Sequence, residues 1–284
     1  MDHSDCSGCS LCLLVCPAWR ETRDVRLTPR GRAKAQQHGA SAATIAVSLD
    51  SCTLCGACEP ACPESLPLVD MVVDLRRHSP GAVVRFAAVS PSKPRAKALV
   101  LPCRALGADE ARRHRTLALF GEGHALAEDD GSDLVRALEA GRAIPDARLE
   151  TFLAPLRGAK RLVVAEGLLL RALRRWLPKV SSISLGEALT MKPAIRGQLR
   201  AGDLYVIEPR AFHGDHERLV GHYDSLRAAS GCEMNLDLQR IAIPASQARW
   251  LLEGRQVTRI VVEDVNDAAA FSFAPAPVLH VADL

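Results

Sequence analysis

Long apolar runs, aromatic residues, a dominant sign of charge and any adjacent pair of cysteines are absent or scarce in this chain of 284 residues. The most apolar stretch, Leu162 to Leu173, is broken by Glu166 and Arg171 and is too short to cross a bilayer. No direct membrane span is therefore expected. The formal net charge is only +3 and the basic residues are dispersed, which argues against a nucleic-acid-binding stripe. The first residues, Met1 to Cys6, lack the apolar region of a secretory signal. A cytoplasmic location is expected, with any contact with the inner membrane coming through a partner. Aromatics make up 4% of the chain while alanine and arginine abound, which reads as a composition bias rather than a functional mark. The length suffices for two domains and a sizeable core.

What the chain does have is cysteine in a particular arrangement. Eight of its ten cysteines lie within the first 62 residues, and the other two, Cys103 and Cys232, stand far away. The first run is Cys6, Cys9, Cys12 and Cys16 followed by Pro17; the second is Cys52, Cys55, Cys58 and Cys62 followed by Pro63. Both fit C-x2-C-x2-C-x3-C-P. Regular close spacing without a secretory signal reads as metal ligation rather than disulfide bonding. A cubane cluster needs four thiolates; three nearby cysteines wrap one face of it, and the cysteine before proline points away to the other cluster. The spacing thus predicts two [4Fe–4S] clusters with crossed ligands: Cys6, Cys9, Cys12 and Cys62 for the first, and Cys52, Cys55, Cys58 and Cys16 for the second. Zinc is the alternative. A third cysteine at the same spacing and a Cys-Pro, twice over, favour iron–sulfur. The small residues Ser7, Gly8, Ser10, Gly56 and Ala57 let backbone N–H groups approach cluster sulfurs.

Between the runs, Thr28 is placed to cap a helix, Pro29 suits its first turn and Gly39 its end. Leu68, Val69, Val72, Val73 and Leu75, after Pro67, follow helical spacing. The order cysteine run, Pro29-Arg30-Gly31-Arg32, cysteine run resembles the iron–sulfur subunits of glycolate oxidase and lactate-utilisation systems. It also resembles those of anaerobic glycerol-3-phosphate dehydrogenase and heterodisulfide reductase. The resemblance covers residues 1 to about 78. It implies a helical dicluster ferredoxin relaying electrons between a flavoprotein dehydrogenase and a downstream acceptor: a quinone, an electron-transfer flavoprotein or a ferredoxin.

After His78-Ser79-Pro80-Gly81 the pattern turns α/β. Short apolar runs at Lys97 to Leu101, Arg161 to Val164, Asp203 to Ile207 and Arg259 to Val262 read as buried strands alternating with helices, hence a parallel sheet. Three segments recur in order: Leu99 to Asp109 resembles Tyr205 to Asp215, Arg161 to Leu173 resembles Arg259 to Phe271, and Val180 to Leu189 resembles the stretch ending at Leu284. We therefore expect an α+β multidomain chain: a helical dicluster domain at 1–80 and two copies of one α/β unit at 95–198 and 200–284. The same families supply a counterpart in tandem cysteine-rich CCG domains. This sequence departs from them: Cys103 stands at the first turn, but Glu208-Pro209-Arg210, Ala165-Glu166-Gly167 and Glu263 to Asn266 occupy the other ligand positions. The resemblance is to pattern and order, not to functional residues.

Plainer readings apply elsewhere. Cys103 and Cys232 are expected to be buried apolar-type cysteines. His213, His216 and His222 are expected in a polar turn and helix start rather than a metal site. Glu122 to Ser132 is expected to be a solvated loop, and Gly121-Glu122-Gly123 lacks the rest of a dinucleotide fingerprint. Trp19 either shields a cluster or simply packs. Two functions remain: a non-catalytic electron-relay subunit within an oxidoreductase complex, with the α/β part docking other subunits, or a reductase whose α/β part reduces a small molecule or disulfide. The missing cysteine and nucleotide motifs favour the first.

Overall fold

The computed structural model describes residues 3–79, 83–88 and 96–284. The boundary expected at Pro80 and Gly81, and the start of the first α/β unit expected at residue 95, lie outside the described residues.

The N-terminal part is helical. The helix Pro29–Gln37 begins where Thr28 accepts the Gly31 N–H at 3.1 Å and ends before Gly39, at φ +80°. Gly31 is required: a Cβ there would collide with the Val25 carbonyl. Arg32 is buried, and its guanidinium donates to the Ser48 carbonyl at 3.0 and 2.8 Å and to the Leu27 carbonyl at 2.8 Å. Gly31 and Arg32 of the Pro-Arg-Gly-Arg motif are thus explained by packing. The helix Leu68–Arg77 buries Leu68, Val69 and Val72 on one face. Each such aliphatic side chain stabilises by about 1.5–3 kcal/mol relative to exposure.

The rest is built on two four-stranded sheets. The first comprises β1 (Ala98–Leu101), β2 (His124–Leu126), β3 (Arg161–Val164) and β4 (Ser181–Ser184), in the order β2-β1-β3-β4, every pair parallel. The second comprises β5 (Asp203–Val206), β6 (Glu233–Met234), β7 (Arg259–Val262) and β8 (Val278–His280), in the order β6-β5-β7-β8, again parallel throughout. The two sheets therefore share one topology. The three recurring sequence segments fall on equivalent strands: β1 and β5, β3 and β7, β4 and β8.

Strand alternation divides the core. Leu99, Leu101, Leu162 and Val164 face Leu134, Phe152, Leu169 and Leu173 on the outer side of the first sheet. Leu204, Val206, Ile260 and Val262 face Leu251 and Phe271 on the outer side of the second. The inward residues Val100, Val163, Tyr205 and Val261 join Leu185, Leu189, Phe212 and Tyr223 in a single core common to both sheets. Within it lies a buried carboxylate: Glu263 accepts from Tyr205 Oη at 2.8 Å, Tyr223 Oη at 2.6 Å and the Glu208 N–H at 2.9 Å. Gly186 leaves room for it. Burial pushes this carboxyl up to about 7.

One expectation fails. Glu122 to Ser132 is not a loop throughout, because His124–Leu126 forms the edge strand β2 beside β1. With three half-buried residues between glycine turns and acidic residues, the strand is too short to show a period. The acidic residues after it are not simply solvated either: Asp129 and Asp133 pair with buried Arg148 at 2.7 Å each.

Candidate iron–sulfur centres

Two cavities in the N-terminal part are lined by four cysteines each. Cys6, Cys9, Cys12 and Cys62 line the first, together with Gly8, Ser10, Arg30 and Glu64. Cys16, Cys52, Cys55 and Cys58 line the second, together with Arg32, Gly56 and Ala57. Each cavity thus holds three cysteines of one run and the last cysteine of the other. Pro29 and Leu68 belong to both walls and form the partition between them. The exchange has a local cause at Cys16. Proline disfavours helical geometry in the residue before it, so Cys16 is extended (φ −79°, ψ 121°) between the helices Leu11–Val15 and Pro17–Thr22.

Left-handed backbone opens both loops. Gly8 and Ser10 have φ of +82° and +74°; Leu54 and Gly56 have +57° and +79°. The first loop is held by the helix Pro29–Gln37: Gln37 Nε2 donates to the carbonyls of His3 and Cys6 at 2.8 and 3.0 Å, and Lys34 Nζ to that of Cys6 at 3.3 Å. Cys9 is exposed, and the other three thiols of this cavity are half-buried.

The second loop is covered by the α/β part. Arg171 makes a forked pair with Glu59 at 2.6 and 3.0 Å and reaches Asp70 at 3.4 Å. Arg210 Nη2 donates to the Thr53 carbonyl at 3.1 Å, and His213 Nδ1 to the Cys55 carbonyl at 2.7 Å. Ile241 packs with Val15, Cys55 and Ala57, and Leu168 with Leu49, Leu54, Val69 and Val72. Cys16 and Cys55 are buried.

Burial raises these thiols. Cys12 and Cys55 are pushed to about 11, opposed by the backbone N–H groups of Arg30 and Ala57 respectively. Cys58 is pushed well above its ordinary value, and Cys16 is raised by burial against the N–H groups of Trp19 and Ala18 and the charge of Arg32. Four-thiol donor sets with N–H groups turned to the sulfurs suit a polynuclear iron–sulfur group. Among the described residues, no three His, Cys, Asp or Glu side chains converge where a single ion would sit.

Other sequence-based candidates fall elsewhere. Cys103 and Cys232 are buried in the common core, and burial raises both. The Trp19 indole lines neither cysteine cavity; Arg23 covers it at 5.7 Å. His213 is not in a polar turn: it is buried at the end of the helix Pro209–His213. His216 opens the helix His216–Ser230, and His222 within it bonds Thr190 Oγ1 at 2.9 Å. Sequence reasoning missed a third cavity of about 500 Å³ at the carboxyl ends of β1, β3, β5 and β7. Thr53 and Cys55 of the second cysteine run share its wall with Cys103, Glu166, Glu208 and Asp267. The signal was present as polar turn residues after each strand, the usual ligand position in parallel sheets.

Residues 2–66 match the 4Fe-4S dicluster domain family. A similar curated protein is the C subunit of the ferredoxin:CoB-CoM heterodisulfide reductase of Methanosarcina mazei, 31% identical over 108 residues, which is 36% of this chain and 60% of that protein. The C subunit of the ferredoxin/F(420)H(2)-dependent CoB-CoM heterodisulfide reductase of Methanosarcina acetivorans is 28% identical over 103 residues, with the same shares. The chain thus spans 60% of the length of these relatives. No solved structure matches. Among the described residues, no helix is long and apolar enough to cross a membrane. The cysteine-rich part of this chain is a 4Fe-4S dicluster domain, with two [4Fe–4S] clusters as its cofactors.

Proposed function

We propose that the chain is the electron-relay subunit of a larger oxidoreductase complex, with crossed ligation as its internal wiring. Cys6, Cys9, Cys12 and Cys62 hold the first cluster; Cys16, Cys52, Cys55 and Cys58 hold the second. The observation that carries this is the grouping of eight thiols into two adjoining cavities with a shared partition at Pro29 and Leu68. The clusters, when bound, supply one-electron redox chemistry. The thiols must lose their protons to ligate, so metal loading releases protons and is coupled to folding of this part. The exposed Cys9 edge faces outward to an exchange partner, and Arg32, Arg171 and His213 hold the inner loop fixed. A flavoprotein dehydrogenase is the donor and a quinone, electron-transfer flavoprotein or ferredoxin the acceptor. The α/β part, at 95–198 and 200–284 after a 1–80 dicluster domain, is a degenerate tandem CCG-like scaffold that docks other subunits. The complex is cytoplasmic and meets the membrane only through a partner.

A second reading draws on the third cavity. Cys55 and Cys103 both line it, so a molecule bound there has a cluster ligand on its wall. On that reading the α/β part reduces a small molecule or disulfide itself. One experiment separates the two. The complex is reconstituted with a Cys103→Ala, Cys232→Ala double variant carrying about eight irons and eight sulfides per chain. Turnover equal to wild type supports the relay; lost turnover with both clusters intact supports the reductase.

A further inference from the structure

We propose that His213 is a positioning residue for the second cluster, and that its hydrogen bond to the Cys55 carbonyl sets that cluster's potential apart from the first. The inference rests on the reading above in which Cys55 is a ligand of the second cluster.

The residue reaches this place through the second α/β unit. Glu208 caps the helix Pro209–His213 by accepting from the N–H groups of Arg210 and Ala211, and Pro209 fixes its first turn. One short helix after β5, the chain delivers His213 beneath the second cysteine loop. The residue is 5% exposed, and its ring meets Phe212 edge-on at 5.2 Å. Its tautomer follows from its neighbours. The Ala242 N–H donates to Nε2 at 3.1 Å, so Nε2 carries no proton. Nδ1 carries it and donates to the Cys55 carbonyl at 2.7 Å. Both ring nitrogens are therefore committed to backbone groups, one on each side. The loop is fitted to the ring as well: a Cβ at Gly56 would lie 3.0 Å from His213 Cβ.

The hydrogen bond bears on the cluster through the peptide that joins Cys55 to Gly56. A donor on its carbonyl polarises the peptide and strengthens the Gly56 N–H as a donor. Gly56 lines the second cysteine cavity. Stronger donation towards cluster sulfur stabilises the more negative, reduced state and raises the potential. At the equivalent place in the first run, Cys9 is exposed. There, Lys34 and Gln37 act on the Cys6 carbonyl instead.

The test is a redox titration of the full-length, anaerobically loaded protein, followed by electron paramagnetic resonance, for His213→Leu and His213→Asn. Leucine fills the space without a donor; asparagine keeps a side-chain N–H near the position of Nδ1. In His213→Leu the second cluster should move to lower potential while the first stays put, and His213→Asn should return most of the shift. An unmoved second potential in His213→Leu, equal shifts of both clusters, or an asparagine variant as shifted as the leucine one would overturn the proposal. If His213→Leu loads only the first cluster, the asparagine variant decides: two clusters with near wild-type potentials support the role, and loss of the second cluster refutes it. Failure of the underlying ligand reading looks different, because Cys55→Ser would then leave the second cluster's signal untouched.

Discussion

The two thiol-lined cavities begin from one motif and end in opposite surroundings. The first is fastened from within its own part of the chain, by Lys34 and Gln37, and leaves Cys9 exposed. The second is roofed by residues far along the chain; Arg210 and His213 lie 157 and 158 positions from the carbonyls they hold. Identical spacing therefore encodes identical donors, while the environment is encoded elsewhere. Hydrogen bonding and solvent exposure both move cluster potentials. Two sites built on one motif thus need not share a potential, and a gradient between an outer and an inner site is available without any change of ligand.

The comparison breaks most sharply at the exchanged cysteines. Cys16→Ser should abolish the signal of the second cluster although Cys16 belongs to the first run, and Cys62→Ser that of the first. Each should cost about four of about eight irons. Iron and sulfide analysis with electron paramagnetic resonance checks this; loss of the first cluster in Cys16→Ser would end the crossed arrangement. A smaller change tests the roof. Arg171→Ala leaves Glu59 without its cation, while Asp70 keeps Arg175 at 2.8 Å; the loss should cost about 2 kcal/mol in urea unfolding. Iron release in air should then quicken at the second site alone, and equal release from both sites would show that the roof protects neither preferentially. The smallest effect is expected at a position remote from both cavities. Cys232→Ala, in the common core, should cost about 1 kcal/mol and leave both cluster spectra unchanged. Lost iron there would give the α/β part a ligand role.

The sequence made local features legible and hid distant ones. Cysteine spacing is a short-range pattern, so the eight thiols and their two runs could be read directly. The strands at Arg161 and Arg259 are continuous apolar runs, as parallel strands buried on both faces must be, and their recurrence exposed the repeat. The edge strand His124–Leu126 has no such run and read as a loop. His213 looked like one of three histidines in a polar stretch; its burial depends on the Ala242 N–H and the Cys55 carbonyl, neither of which is near it in sequence. The third cavity was hidden for the same reason, since its wall draws on the ends of four strands and on the second cysteine loop.

The core common to the two sheets, and the roof it supports, also bear on the order of events during synthesis. The thiols of the second site emerge from the ribosome early, whereas Arg210, His213 and Ile241 emerge late. Iron and sulfide delivered while the chain is still growing meet an open loop. Neither α/β unit closes this interval alone, because Val100 and Val163 of one pack on Tyr205 and Val261 of the other. The lid over the inner site is therefore completed only when the C-terminal unit has formed.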